Sequence, residues 1–335
     1  MRHKDVKVKD IADRLGISQS TVSKALHNAS DISDYRRRQI LDTAVEMGYV
    51  VRSSQKEKNR KLAVLLREIS YENENDPGFE LVRGFQQAAL RDVWGMETLN
   101  ITPEDETKER YDSYLISHGY LGGFMVGFTE KDPWYRELMD AVTPAVLLDS
   151  YLVRNNVCEV CTDTGEAVRD AMDYLVGLGH RRIAFWNGPI DLHISQTRED
   201  AFLQSVLGLN LNAGECPIIH SDIRDADPDY LGQLITSILH SGTTAIFCHN
   251  DETALYLLDA FSEKGIKVPG DISIMGFDDI FEAKNSHPPL TTMRQDRNLL
   301  GQAAFFALTS LISGIRLNRS TVRAELMVRG TTGPV

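Results

Sequence analysis

Little in this sequence of 335 residues points to a secreted, membrane-bound or metal-binding protein. Its four cysteines, Cys158, Cys161, Cys216 and Cys248, are too few for the disulfide framework of a small secreted fold. Cys158-Glu159-Val160-Cys161 has the CxxC spacing of a metal or redox pair, but no second CxxC and no Cys/His pair at zinc-finger spacing accompanies it. The segment 157–161 is β-prone, which would turn the two thiols to opposite faces of a strand. Buried structural thiols are the preferred reading. No run approaches the roughly 18 apolar residues needed to span a bilayer. Residues 1–10 are charged and lack the apolar core of a secretory leader, so a cytoplasmic protein is expected. Also absent are a GxSxG elbow, a P-loop, a GxGxxG after a strand and a paired metal motif. An enzyme on an α/β scaffold is therefore the weaker reading, and neither cofactor nor metal is expected. His180, beside Arg181 and Arg182, reads as a surface basic residue outside any catalytic set.

What is present divides by charge. The net charge is −12, yet residues 1–61 hold 14 Lys and Arg against 8 Asp and Glu, a balance of +6. The remaining residues carry −18. A basic head on an acidic body is the asymmetry of a nucleic-acid-binding module fused to something else. The length suits two or three domains of about 100–150 residues.

In the head, Val8, Ile11, Ala12 and Leu15 fall at helical spacing, and Gly16 follows where a helix would end. Ser18 is a good N-cap for a second helix, Gln19 to Leu26, with Val22, Ala25 and Leu26 inward. A third helix runs from the cap Ser33 to Met47, with Ile40, Leu41, Ala44 and Met47 inward and Gly48 ending it. Two short helices joined by a glycine turn make a helix-turn-helix. Gln19 and Ser20 are short polar side chains suited to base edges, and Lys24 to guanine or a phosphate. Thr21 and Ser23 carry hydroxyls suited to phosphate oxygens. The alternative is a small three-helix bundle with a polar surface helix.

Val8-Lys-Asp-Ile-Ala-Asp-Arg-Leu-Gly-Ile-Ser-Gln-Ser-Thr-Val-Ser-Lys-Ala-Leu26, followed by Ile32-Ser and Gly48-Tyr49, resembles the head of LacI/GalR-type regulators. The resemblance implies that Gln19, Ser20 and Lys24 read bases, with Thr21, Ser23 and His27 close by on the same helix. Residues 50–61 form a basic polar run that reads as a linker. That family usually has Pro-Asn and a minor-groove leucine here, whereas this chain has Val51, Arg52 and Lys58. A lysine pairs with phosphates but does not wedge between base pairs as an apolar side chain does. A purely flexible linker is the even alternative.

From residue 62 the sequence alternates apolar strands with helices, which predicts parallel sheets covered by helices. About 270 residues of this pattern suit two similar lobes with a cleft between them. Strands are expected near 62–66, 122–126, 145–148, 182–186, 217–220, 244–249 and 272–277. Polar residues follow several of them: Asp149, Asn250-Asp251 and Asp278-Asp279. Arg198 is expected in a loop or at a helix start. Ligands on open α/β sheets bind beyond the C-terminal strand ends, so Asp149, Arg198, Asn250 and Asp278 are candidate ligand contacts. Asp251 is taken as a helix cap, and Trp186 and Phe79 as core. The resemblance continues through Gly177-Leu-Gly-His-Arg-Arg-Ile-Ala-Phe185, Arg198-Glu-Asp-Ala-Phe202, Gly276-Phe-Asp-Asp279 and Pro289-Leu-Thr-Thr-Met-Arg-Gln295. It implies a periplasmic-binding-protein-like core, with Rossmann-like parallel sheets, that holds a sugar or purine. It adds Gln295 to the effector residues. The match is poor over Glu68–Phe79, which leaves the ligand open.

The expected organisation is a helix-turn-helix domain at 1–49, a hinge at 50–61 and an effector-binding, dimerising domain at 62–335. One such head reads only a few base pairs, so a homodimer on a pseudo-palindromic operator in double-stranded DNA is expected. A solute-binding protein is disfavoured by the basic head, and a protein co-regulator in place of a sugar stays open. Whether effector releases or promotes DNA binding also stays open. If Lys58 meets a phosphate, Lys58→Ala should lower the magnitude of the salt slope of operator binding by about one unit. An unchanged slope in a salt titration would favour the flexible linker.

Overall fold

The computed structural model describes residues 6–26, 29, 31–49, 60–150, 152, 154–190, 193–221, 223 and 227–335. The head is three helices: α1 (Val8–Leu15), α2 (Gln19–Leu26) and α3 (Asp34–Glu46). Gly16 closes α1 at φ 65°, where a side chain would be strained. Ser18 Oγ then accepts from Thr21 N at 3.1 Å, and Ser33 Oγ from Arg36 N at 3.4 Å, so both expected serine caps form. Ile11, Ala12, Val22, Ala25, Leu26, Ile40, Leu41 and Ala44 make the buried centre.

The chain divides into two compact units, residues 1–161 with 297–321, and residues 162–296 with 322–335. In the first, β1 (Lys61–Leu66), β2 (Gly95–Asn100), β3 (Gly123–Val126), β4 (Ala145–Leu148) and β5 (Val157–Thr162) pair in parallel in the order β2-β1-β3-β4-β5. The strand β11 (Arg319–Val322) lies beyond β5. The helices of this unit's body are α4 (Phe79–Arg91), α5 (Pro103–Lys108), α6 (Tyr111–Ser117), α7 (Pro133–Glu137) and α13 (Arg297–Ile312). In the second unit, β6 (Ile183–Asn187), β7 (Ile218–His220), β8 (Ala245–Cys248), β9 (Ser273–Asp278) and β10 (Thr291–Arg294) repeat the parallel order as β7-β6-β8-β9-β10. An antiparallel strand, β12 (Glu325–Met327), pairs with β10 at the edge. Its helices are α8 (Thr164–Gly177), α9 (His193–Gly208), α10 (Pro228–His240), α11 (Asp251–Glu263) and α12 (Phe281–Asn285).

Helices on both faces explain why these strands read as unbroken apolar runs. Along β6, β8 and β9, Phe185, Phe247 and Met275 enter one core while Ala184, Trp186, Ile246 and Ile274 enter the other. All four cysteines are buried and none forms a disulfide, with Cys158 and Cys161 on β5, matching the structural-thiol expectation. His180 corrects the surface expectation: it is only 2% exposed. Gly179 at φ 101° turns the chain inward there. The ring meets Thr244 Oγ1 at 2.9 Å, Ser273 Oγ at 3.1 Å and the Gly333 carbonyl at 3.1 Å. These partners satisfy its polar atoms, which is the condition for burying it. Among the described residues no helix is long and apolar enough to cross a membrane.

In the first unit α13 crosses α4 at backbone contact. A Cβ on Gly84 would lie 1.9 Å from the Asn298 carbonyl oxygen, and one on Gly301 would lie 2.1 Å from that of Leu81. Neither obstacle is a flexible side chain, so the helices themselves would have to part. Gly84→Ala should therefore destabilise by about 2–3 kcal/mol in urea unfolding. Gly232→Ala, in α10 with nothing within 4 Å of the new Cβ, should instead gain about 0.5–1 kcal/mol. Equal effects from the two would remove the close crossing as the explanation.

Candidate functional site

Two sets of side chains need placing, one on the head and one at the strand ends. On α2, Gln19, Ser20 and Lys24 are exposed, while Thr21 and Ser23 are half-buried. The Thr21 hydroxyl lies 2.8 Å from Ser18 Oγ within the helix cap. The Lys24 ammonium forms an ion pair with Asp31 in the turn before α3, and this holds the Asp31 carboxyl below its usual range. Arg37 Nη2 donates to the carbonyls of Ala29 at 2.7 Å and Ile32 at 3.2 Å, fixing that turn. His27 and Lys58 lie outside the described residues.

In the second unit three of the expected effector residues, Asn250, Asp278 and Gln295, lie at or just past neighbouring strand ends, and a fourth, Arg198, comes from a helix. Arg198 sits inside α9, not in a loop, and is 6% exposed. Its guanidinium lies over the Phe277 ring, 4.1 Å from the centroid, and donates to the His249 carbonyl. Its Nη2 is 4.0 Å from Asp278 Oδ1. That same oxygen accepts from Gln295 Nε2, and Gln295 Oε1 accepts from Thr162 Oγ1 at 2.6 Å. These bonds fix which way the Gln295 amide points. Burying a guanidinium requires partners of this kind, since an uncompensated charge would be costly. Asn250 ends the next strand, where its Oδ1 accepts from Thr253 N at 2.9 Å and caps α11. Asp149 belongs to the first unit, at the C-terminal end of β4, with its backbone N donating to the Val160 carbonyl at 3.0 Å.

The cap and its neighbour exchange roles relative to the sequence expectation. Asn250 caps α11, whereas Asp251 is fully buried and accepts from Thr292 Oγ1 and, at 2.9 Å, from Ile280 N. Gly276 makes room for it, because a Cβ there would lie 2.2 Å from Asp251 Oδ1. Asp279 is anchored by Arg329 at 2.6 Å and Arg294 at 2.8 Å. Thr162, His249, Phe277 and these two arginines were not among the expected site residues. Phe277 carried a local signal in standing beside Asp278. His249 beside Asn250 and Arg294 beside Gln295 carried the same signal, whereas Thr162 and Arg329 are joined to the cluster only by folding.

A helix-turn-helix with an exposed polar face, carried on a body of two parallel-sheet units, defines a DNA-binding transcriptional regulator, not an enzyme. The model for bacterial regulatory proteins of the lacI family matches residues 7–51, and that for a periplasmic binding protein-like domain matches residues 172–332. The HTH-type transcriptional repressor CytR of Escherichia coli is 27% identical over 333 residues, covering 97% of this chain and 96% of that one. The fold matches that of a lac repressor dimer bound to operator and an anti-inducer, at 22% identity and TM-score 0.63, covering 98% and 100% of the two chains. It also matches a transcriptional regulator CelR–cellobiose complex, at 23% identity and TM-score 0.65, covering 97% and 99%. The chain thus combines a lacI-family helix-turn-helix domain with a periplasmic-binding-protein-like domain, as do the LacI-family repressors it is similar to.

Burial pushes the Asp251 carboxyl up to about 7, and the carboxylates of Asp278 and Asp279 add to this against the bonds from Thr292 and Ile280. The folded state thus keeps a proton that the unfolded chain releases near pH 4. The resulting stability is full below that pH and drains as pH rises to 7. Asp251→Asn keeps the site neutral throughout. Between pH 5 and 7.5 it should lose about 2–3 kcal/mol less stability than the unaltered chain in urea unfolding. Parallel pH profiles would show that the carboxyl is ionised across this range.

Proposed function

We propose that this chain is a dimeric, cytoplasmic repressor whose grip on a pseudo-palindromic operator is controlled by a sugar or sugar derivative. In this reading residues 1–49 are the DNA-binding head, 50–61 the hinge, and 62–335 the effector-binding and dimerising body. Gln19, Ser20 and Lys24 read bases, Thr21, Ser23 and Lys58 serve the DNA backbone around them, and His27 lies close by on the same helix. Arg198, Asn250, Asp278 and Gln295 bind the effector, with Asp149 contributing from the first unit.

The observation that carries the effector reading is the cluster of buried Arg198 with half-buried Asp278 and Gln295 at the C-terminal strand ends. Charged and amide groups held in fixed orientation make strong directional bonds to hydroxyls. Guanidinium and carboxylate side by side offer donors and acceptors to the same polyol. The cellobiose complex of the similar regulator CelR supports a sugar over a purine. Coupling between the two functions is reciprocal, so DNA must change effector affinity by the factor by which effector changes DNA affinity.

Thermal unfolding of the full chain against monosaccharides, disaccharides, sugar phosphates and purines tests this. A ligand at 100 times its Kd should stabilise by about 2.7 kcal/mol. The hit should vanish in both Arg198→Ala and Asp278→Ala. A hit indifferent to both would place the effector site elsewhere, and a hit confined to purines would overturn the sugar.

A further inference from the structure

The head and the body of the first unit share a buried seam. Ile116, on α6 of the body, is 1% exposed and belongs to the head's apolar cluster with Ile11, Val22, Ile40 and Leu41. Its neighbours on the same helix, Tyr111 and Leu115, instead enter the core under β1, β3 and β4. One short helix therefore serves two cores. Beside Ile116, Arg38 Nη2 of α3 donates to the Lys108 carbonyl at 3.1 Å. A cavity of about 430 Å³ opens along the seam, lined by charges of both signs on each side: Arg38 and Asp42 from the head, Glu109 and Arg110 from the body. Docking leaves the reading face open, because Gln19, Ser20 and Lys24 are exposed.

At its other end α6 is clamped to the root of β4. The Tyr111 hydroxyl donates to the Pro144 carbonyl at 3.0 Å. Both oxygens of Asp112 are used, accepting from Val142 N at 3.1 Å and Thr143 N at 2.9 Å. The strand that starts there ends next to Asp149. A shift of β4 along its axis would have to move α6, since these bonds tie the first turn of the helix to the three residues that lead into the strand.

We propose that the α3–α6 seam, centred on Ile116 and Arg38, is the contact surface that holds the DNA-binding head at a set position on the body, and that α6 relays the state of β4 to it. The relay to Asp149 rests on the functional reading above. The seam does not, and it is tested first. Without the head, Ile116 would be an exposed isoleucine next to the charged residues of α5 and its turn, which gives the docked state its apolar driving force.

The first measurement is hydrogen exchange on the full chain, comparing it with Ile116→Asp and the milder Ile116→Ala. Amides of α3 should exchange about tenfold faster in Ile116→Asp and to a lesser degree in Ile116→Ala, with β1 and β4 unchanged. Unchanged exchange in α3, with either variant folded, overturns the seam. The second uses an operator selected from random duplexes by the unaltered chain, with two base pairs inserted between the half-sites. Fixed heads should lose about tenfold or more in affinity on insertion, whereas Ile116→Asp should lose less than about threefold. If the variant discriminates spacing as sharply as the unaltered chain, α6 does not position the heads. Failure to select any operator would count against the regulator reading and leave the exchange result standing.

Discussion

Parallel pairing of strands is the constraint from which the body follows. Each parallel neighbour needs a crossover, and the crossovers are helices that cover both sheet faces. Both sheets adopt the same order, with the first strand between the second and third, so each has one point where successive crossovers diverge. Every strand of the parallel set also ends at the same edge. The cluster of Arg198, Asp278, Gln295, Thr162 and the His249 carbonyl sits at such an edge because the chain direction leaves it nowhere else. Helix α9 delivers its arginine there because it starts just after β6 and turns its polar residue back across the strand ends.

Much of this was legible because burial on two faces leaves a plain mark. Runs such as Leu62–Leu66 and Ala145–Leu148 are apolar throughout, and each is a strand within a residue of the expected place. In the head, helical spacing, serine caps and the glycines at 16 and 48 agree with one another, and all hold. Strand β2 left no such mark: it lies at the edge, half-exposed, and reads Gly-Met-Glu-Thr-Leu-Asn. Helix α13 is apolar around most of its surface, so no amphipathic stripe announces which core it joins. Its return to the first unit depends on glycines at 84 and 301 that were unremarkable one at a time. The adjacent residues Asn250 and Asp251 show the same limit. Either is a good cap by type, and only Gly276, Thr292 and Ile280 decide that the carboxylate goes inside.

Electrostatics organises the head on a different scale. Lys24 and Asp31 are about half exposed in their ion pair, which in water is worth little. The pair is thus a weak competitor for the DNA contact proposed for Lys24. A surface pair of this strength is compatible with exchange of one partner for another. The seam with α6 works differently, chiefly through an isoleucine removed from water, which salt does not screen, with a bond from the Arg38 guanidinium to the Lys108 carbonyl beside it. Salt is therefore expected to act on the grip of the head on DNA more than on its seat on the body.

The backbone supplies evidence about the site that the side chains do not. Six non-glycine residues have positive φ among those described: Glu68, Val93, Asp149, Asn210, Asp278 and Asp279. Four of them, Glu68, Asp149, Asp278 and Asp279, lie at or just past the C-terminal ends of β1, β4 and β9. Such conformations cost on the order of 1–3 kcal/mol each and persist only where surroundings over-determine them. Around Asp278 and Asp279 those surroundings are visible. Gln295 holds one carboxylate, Arg294 and Arg329 hold the other, and Gln295 N donates back to the Asp278 carbonyl at 3.3 Å. A glycine at either position would relieve the strain and lose the carboxylate. That aspartates stand there instead means their side chains are worth more to the molecule than the strain they carry. Those bonds, from Gln295 to one carboxylate and from Arg294 and Arg329 to the other, are what a glycine would forfeit.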